Sequence, residues 1–260
     1  MTGDLSRDRD IDFANERLDY EALRALARNA NLDVHGKIGF PTSYREGYEP
    51  AIFRDILRKL PMLAEAEGRT IVDIGPGCAN LPKMIIELCA QRRHRLVLVD
   101  SDEMLVQLPD VAGVTFKCSG EFPKNRAAVA DLAPEGCAAL ISYSVLQMVV
   151  LGANPFDFLD QACSLLAPGG RALIGDIPNH SKRQRFFASE AGKAFHRAFT
   201  GRDEDPEPGF NTLAPGKIDD AILQGLMQRA QAAGFDAYLL PQAADLPMAN
   251  RRDDLMFVRP

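Results

Sequence analysis

The stretch Thr70-Ile71-Val72-Asp73-Ile74-Gly75-Pro76-Gly77-Cys78-Ala79-Asn80-Leu81 sets the architecture of the chain. Residues 71–74 are a short apolar run of the kind a buried parallel strand needs, with one acid, Asp73, near its carboxyl end. Gly75 and Gly77 follow, and an amphipathic segment runs from 81 to 91. Strand, glycine turn and helix make the first unit of a doubly wound α/β sheet, whose ligands sit outside the carboxyl ends of the strands. Glycine has a physical reason there: a side chain would hold the backbone off the ligand or forbid the tight turn.

The spacing D-x-G-x-G-x-A is not the dinucleotide fingerprint, which needs a small residue where Asn80 stands. An acid two residues before the first glycine also faces a pyrophosphate badly and suits a cationic ligand group. At these residues the chain resembles the class I S-adenosylmethionine (SAM)-dependent methyltransferases, whose first motif is D/E-x-G-x-G-x-G. Asp73, Gly75 and Gly77 match it, and Ala79 replaces the third glycine. The resemblance implies that Asp73 lies near the amino group of the methionine moiety and that this moiety rests on the glycine turn.

Further segments carry the resemblance outward. Residues 95–100 read as a second buried strand ending in Asp100, where the family places the acid that accepts from the ribose hydroxyls. Asp100-Ser101-Asp102-Glu103-Met104-Leu105 is similar to the family's D-x-S-x-x-M-L segment, one residue shorter, which brings in Ser101 and puts Met104 beside the adenine. A third strand, 114–118, is followed by Ser119-Gly120-Glu121, where the family often has G-D-A-E; Ser119 or Glu121 takes the adenine-binding role. Residues 138–147 read as the fourth strand and the turn after it and resemble the family's D-L-I-x-x-x-x-V-L-x-H/Q segment; the resemblance implies that residues just past that strand face the sulfonium and the substrate, and Tyr143 is a candidate cofactor-binding residue there. Residues 155–166 read as a helix stopped by Ala167-Pro168-Gly169-Gly170, and 171–176 as the fifth strand. L-x-P-G-G before this strand is the second family signature. A helix over 218–233 and strands at 235–240 and 254–258 complete a Rossmann-like, seven-stranded mixed sheet with an antiparallel last strand and helices on both faces. The resemblance covers 69–260, the SAM-binding methyltransferase domain; 1–68 form an N-terminal helical cap.

In the cap, the spacing predicts one helix over 12–29 and another from Glu49 to Pro61. Between them Tyr44, Arg45 and Tyr48 lie close together, and the resemblance implies that Tyr44 and Arg45 shape the substrate pocket. Asn179 and His180 leave the fifth strand on the site face. A helix over 181–199 follows, opening with Lys182, Arg183 and Arg185 and carrying His196; 201–216 is an acidic loop read as a lid or a disordered connection. His180 is the candidate base and His196 the second. Lys182 and Arg185, three apart on one helical face, point to an anionic acceptor such as a phosphorylated sugar or a carboxylate.

Composition narrows the classes. At 260 residues, 46% hydrophobic and with a net charge of -6, the chain is one domain with elaborations and lacks the whole-chain basic footprint of a nucleic-acid binder. Five scattered cysteines without a C-x-x-C pair point to reduced, buried thiols and a cytoplasmic setting. Four histidines without metal-ligand spacing predict no metal site. The start of the chain has no apolar signal region, and the longest apolar stretch, 137–150, is too short and too polar to cross a membrane. Self-association into a homo-oligomer stays open. The reaction expected is methyl transfer from SAM to a small-molecule or sugar hydroxyl. The alternatives are an amine acceptor, a non-catalytic member of the fold and, more distantly, a nicotinamide-dependent oxidoreductase. N/D-P-P-Y is missing, which counts against the amino-methylating DNA and protein-amide branches.

Overall fold

The computed structural model describes residues 18–212 and 214–260. Seven strands form one sheet in the order β3-β2-β1-β4-β5-β7-β6. They are β1 Thr70–Ile74, β2 Arg95–Asp100, β3 Thr115–Ser119, β4 Cys137–Tyr143, β5 Leu166–Pro178, β6 Asp236–Pro241 and β7 Arg252–Val258. β1 pairs in parallel with β2 and β4, β2 with β3, and β4 with β5. β7 runs antiparallel to both β5 and β6. The strand order reverses between β1 and β4, so the switch point lies at the carboxyl end of β1, where such sheets bind ligands.

Alternation along β1 sends its side chains to two cores. Val72 and Ile74 join Val97, Val99, Leu140 and Ile174 on one face. Helices α8 (Arg126–Leu132), α9 (Leu146–Gly152), α10 (Pro155–Cys163) and α13 (Asp220–Ala232) cover that face, with Phe158, Leu223 and Leu226 fully buried. Ile71 faces the other way with Leu96, Leu98, Ile141 and Leu173. There it meets α4 (Glu49–Lys59), α5 (Met62–Glu65), α6 (Asn80–Gln91) and α7 (Asp102–Leu105) through Ile52, Ile56, Leu63, Ile85 and Leu105. The N-terminal helix α4 is thus built into the second core. The odd residue on β1 is Asp73, an acid buried on the face of Ile71.

The remaining cap elements are α1 (Tyr20–Arg28), α2 (Val34–Lys37) and α3 (Thr42–Arg45). Asp19 caps α1 by accepting from the Ala22 N–H (3.0 Å), and Asp33 caps α2 by accepting from Gly36 (2.7 Å). α1 takes up part of the helix expected over 12–29; its predicted first turn lies outside the described residues.

Three boundaries depart from the sequence reading. The turn expected after β4 contains a helix, α9, whose Leu146 and Val149 are buried in the first core. Ala167-Pro168-Gly169-Gly170 lies within β5, and α10 ends earlier, at Cys163. The helix expected over 181–199 is two, α11 (His180–Ala188) and α12 (Glu190–Thr200). Ser189 is extended (φ -84°, ψ 157°) and caps α12 by accepting from Gly192 N–H (3.2 Å), an alternative to helix that serine offers the backbone. A side chain at Gly192 would sit 1.9 Å from the Phe186 carbonyl oxygen, so α12 crosses close over the end of α11.

Candidate functional site

A cavity of about 380 Å³ opens at the carboxyl ends of β1, β2 and β4, within the range of small-molecule sites. The glycine turn forms one wall. Gly75 and Gly77 have φ of +71° and +67°, values that side chains other than glycine's adopt at a cost. Space forbids a side chain as well: a Cβ at Gly75 would lie 2.5 Å from Val145 Cγ2, and one at Gly77 2.7 Å from Ile38 Cγ2. The turn is clamped between the loop after β4 and the cap.

Asp100 ends β2 beside the turn. Its Oδ2 accepts from the Gly77 N–H (2.9 Å) and its Oδ1 from the Ser101 N–H (2.7 Å). Burial raises the Asp100 carboxyl to about 6, against the lowering by those two N–H groups. Asp73 lies behind the turn and outside the cavity lining; burial pushes it up to about 8, with the Asp100 charge adding to the rise. Ser101 caps α7 and lines the cavity with Met104, as do Gly120 and Glu121; Ser119 does not.

Another wall comes from the cap and from the end of β4, held from behind by the end of β5. Tyr143 lines it, its phenol raised well above the usual value by burial and then by the charge of Asp176. Ser144 and Asp176, at φ +63° and +58°, are non-glycine residues in a left-handed conformation that costs on the order of 1–3 kcal/mol each. The unusual backbone brings them together: Ser144 Oγ donates to Asp176 Oδ2 (2.5 Å). Arg45 donates to both, reaching Asp176 Oδ2 at 3.0 Å. Arg252 donates to the same carboxylate oxygen (2.7 Å) and to the Asp176 carbonyl (3.0 Å). Gln242 Nε2 bridges Asp176, Asp254 and the Tyr143 hydroxyl. Beside this network stands a buried pair from the cap: His35 Nε2 lies 2.7 Å from Glu49 Oε1, and both residues line the cavity.

The residues expected after β5 go elsewhere. None of Tyr44, Asn179, His180, Lys182, Arg185 and His196 lines the cavity. Asn179, 1% exposed, donates to Asp220 (2.7 Å) and Asp253 (2.8 Å) and caps α11. Lys182 donates to Asp253 (2.6 Å), and Arg185 pairs at the surface with Asp220 (2.5 Å). Their shared helix face is real, but it faces acids of the same chain. His180 Nε2 is 3.2 Å from Gln184 Nε2, and the His196 ring packs edge-on against Phe187. No described residue of 201–216 lines the cavity, and 201–212 is tied to the α11–α12 pair through Arg197–Asp205 (2.7 Å) and Gly209–Gln184 (3.2 Å).

His35, Glu49, Ser144 and Asp176 were not singled out from sequence. The first two lie fourteen residues apart on separate helices, a separation no local motif encodes. All five cysteines are buried and free, and among the described residues no group of acidic, His or Cys side chains could hold a metal ion. No helix among them is long and apolar enough to cross a membrane.

No family model matches the sequence, and no curated protein matches it. The fold has solved counterparts. The plantazolicin methyltransferase BpumL in complex with SAH (S-adenosylhomocysteine) matches with a TM-score of 0.56 over 92% of this chain and 95% of that chain, at 14% identity. BpumL with a monoazolic desmethylPZN analog and SAH matches at 0.56 over 92% and 96%, at 13% identity. With a triazolic analog the values are 0.53, 92%, 96% and 12%. At these identities the likeness is one of architecture: the chain has the class I SAM-dependent methyltransferase fold.

Proposed function

We infer that the cavity binds SAM and that the protein transfers its methyl group to a hydroxyl of a neutral small molecule. The observation that carries this reading is the glycine turn, closed to any side chain by Val145 and Ile38 and joined to Asp100 by a hydrogen bond, on one wall of a cavity at the switch point. Gly75 and Gly77 let the methionine moiety approach the backbone, Asp73, behind the turn, supplies negative charge toward its ammonium on losing its proton, and Asp100 accepts from the ribose. Ser101 and Glu121 border the adenine end. Bound there, SAM supplies a methyl group on a sulfonium, open to in-line displacement by a nucleophile. The cavity's apolar lining (Ile74, Val99, Met148, Val149 and Phe158 among it) favours the loss of that charge by limiting water. The described part of the N-terminal segment, residues 18–68, serves as a cap over the cavity.

The cations bordering the cavity argue for a neutral acceptor. Arg24 is paired with Glu103, Arg45 with Asp176 and Lys124 with Glu121, which leaves none of them for a phosphate. An amine acceptor is the second reading, since Glu49, Phe40 and Tyr143 share the cavity. Arg45, however, lies 4.3 Å over the Phe40 ring and 5.8 Å from the Tyr143 centroid, so a guanidinium already holds the faces that would receive a cation.

Equilibrium binding with labelled SAM, SAH and NADH tests the cofactor, and turnover over neutral, amine and phosphorylated acceptors tests the acceptor class. SAM and SAH should bind and NADH should not; binding of NADH in place of SAM overturns the reading. Preference for phosphorylated acceptors overturns the neutral-acceptor part.

A further inference from the structure

The pair His35–Glu49 is buried within the cap. His35 is 5% and Glu49 4% exposed, and burying two such polar side chains costs free energy unless they satisfy each other. They do so at 2.7 Å. The pair is firmly held. Asp33 caps the short helix α2, and Thr42 Oγ1 donates to the second oxygen of Asp33 (2.5 Å). The His35 carbonyl accepts from the N–H groups of both Ile38 (3.1 Å) and Phe40 (3.0 Å). Glu49 opens α4, whose Ile52 and Ile56 are locked into the second core. Both residues nevertheless line the cavity, as does Arg45.

We propose that His35, oriented by Glu49, is the base that takes the proton of the acceptor hydroxyl. This rests on the methyltransferase reading of the cavity and narrows it to an acceptor whose proton must leave. A carboxylate that accepts from one imidazole nitrogen fixes the tautomer and leaves the other nitrogen as a proton acceptor. With Glu49 on Nε2, the free lone pair is on Nδ1, which has no partner among the described residues. The step balances. The hydroxyl oxygen forms a bond to the methyl carbon as the carbon–sulfur bond breaks, and its electron pair returns to sulfur, giving a neutral thioether. The hydroxyl proton passes to His35 Nδ1, and the Glu49 carboxylate stabilises the imidazolium until the proton leaves with solvent. His180, the base expected from sequence, lines no part of the cavity.

His94 provides an internal control. It is fully buried, and both ring nitrogens are engaged, Nδ1 by the Arg69 N–H (3.0 Å) and Nε2 by the Leu63 carbonyl (3.1 Å). Diethyl pyrocarbonate, followed by peptide mass spectrometry, should modify His35 in the native protein and spare His94. An unmodified His35 under conditions that label surface histidines overturns the proposal. The second arm uses His35→Gln, whose amide can still donate to Glu49 but takes no proton. With phenol, catechol and simple alcohols as acceptors, kcat should fall about 10²–10⁴-fold, the usual span for a lost general base, while the Kd for SAH is unchanged. Equal kcat in wild type and His35→Gln overturns the proposal, as does wild-type turnover confined to carboxylate acceptors. Failure of the wild type to bind SAH sinks the methyltransferase reading instead, and calorimetry separates that failure from loss of the base.

Discussion

Arg45, in the cap, lies 3.0 Å from Asp176, at the end of β5, and both side chains are buried. The pair ties the N-terminal segment to the carboxyl edge of the sheet, and Arg252 holds the same carboxylate from β7. Asp176→Ala would leave two guanidinium groups buried without their counter-charge. Breaking such a pair costs about 3–5 kcal/mol. Urea unfolding should therefore show a loss of unfolding free energy of that size. A change within the scatter of surface substitutions would mean that the network contributes nothing to closing the cap.

The glycine turn makes a second, steric prediction. Gly75→Ala meets Val145 Cγ2 at 2.5 Å and forces φ +71° on an alanine. SAH binding should be lost and stability reduced. Val145→Ala removes the clash but leaves the backbone strain. The double variant should therefore recover part of the stability and show a coupling between the two sites on the order of 0.5–3 kcal/mol. Strict additivity would mean that the turn and the loop after β4 do not touch.

Asp73 gives opposite pH signatures for stability and for binding. The Asp73 carboxyl rises from 3.8 to about 8 on folding, through burial first and the Asp100 charge second. The folded chain then holds more protons than the unfolded chain between those values, so its contribution to stability is fully present below pH 3.8 and is lost as pH rises to about 8. A cationic ligand prefers the carboxylate, so SAH affinity should climb over the same range and level off above it. Calorimetry in buffers of different ionisation heat should show a proton released on binding. Asp73→Asn should flatten both profiles between pH 6 and about 8, above the Asp100 titration; a wild-type affinity that is flat over that range would contradict the assignment.

Lys182 and Arg185 are expected to be silent in binding. Each is paired with an acid of its own chain, and Arg185–Asp220 is largely exposed. Arg185→Ala should cost no more than about 1 kcal/mol of stability and leave SAH affinity intact. Weakened acceptor turnover in Arg185→Ala would restore the anionic-acceptor reading that its sequence position suggests.

The sheet and the glycine-turn wall of the cavity were legible because they depend on local pattern. Three apolar residues, an acid and two spaced glycines specify β1 and its turn, and residues 95–100 specify β2 and Asp100 in the same way. The acceptor wall was not legible, because it is made by distant pairs: His35 with Glu49, Arg45 with Asp176, Ser144 with Asp176. The helix after β5 misled for a related reason. Its Lys182 and Arg185 share a face, as their spacing says, but what that face meets is Asp253 and Asp220, thirty-five or more residues onward. Ser189 breaks that helix by capping a second one, a choice between two local hydrogen-bonding options that spacing alone does not decide.

Calorimetric titration of SAM into wild type and Asp100→Ala tests the central claim most directly. Saturable binding to the wild type and a loss of about 1–3 kcal/mol in the variant are predicted, the cost of leaving ribose hydroxyls unpaired in a buried site. Absence of binding to the wild type, or equal affinity in the two proteins, would contradict the assignment of the cavity.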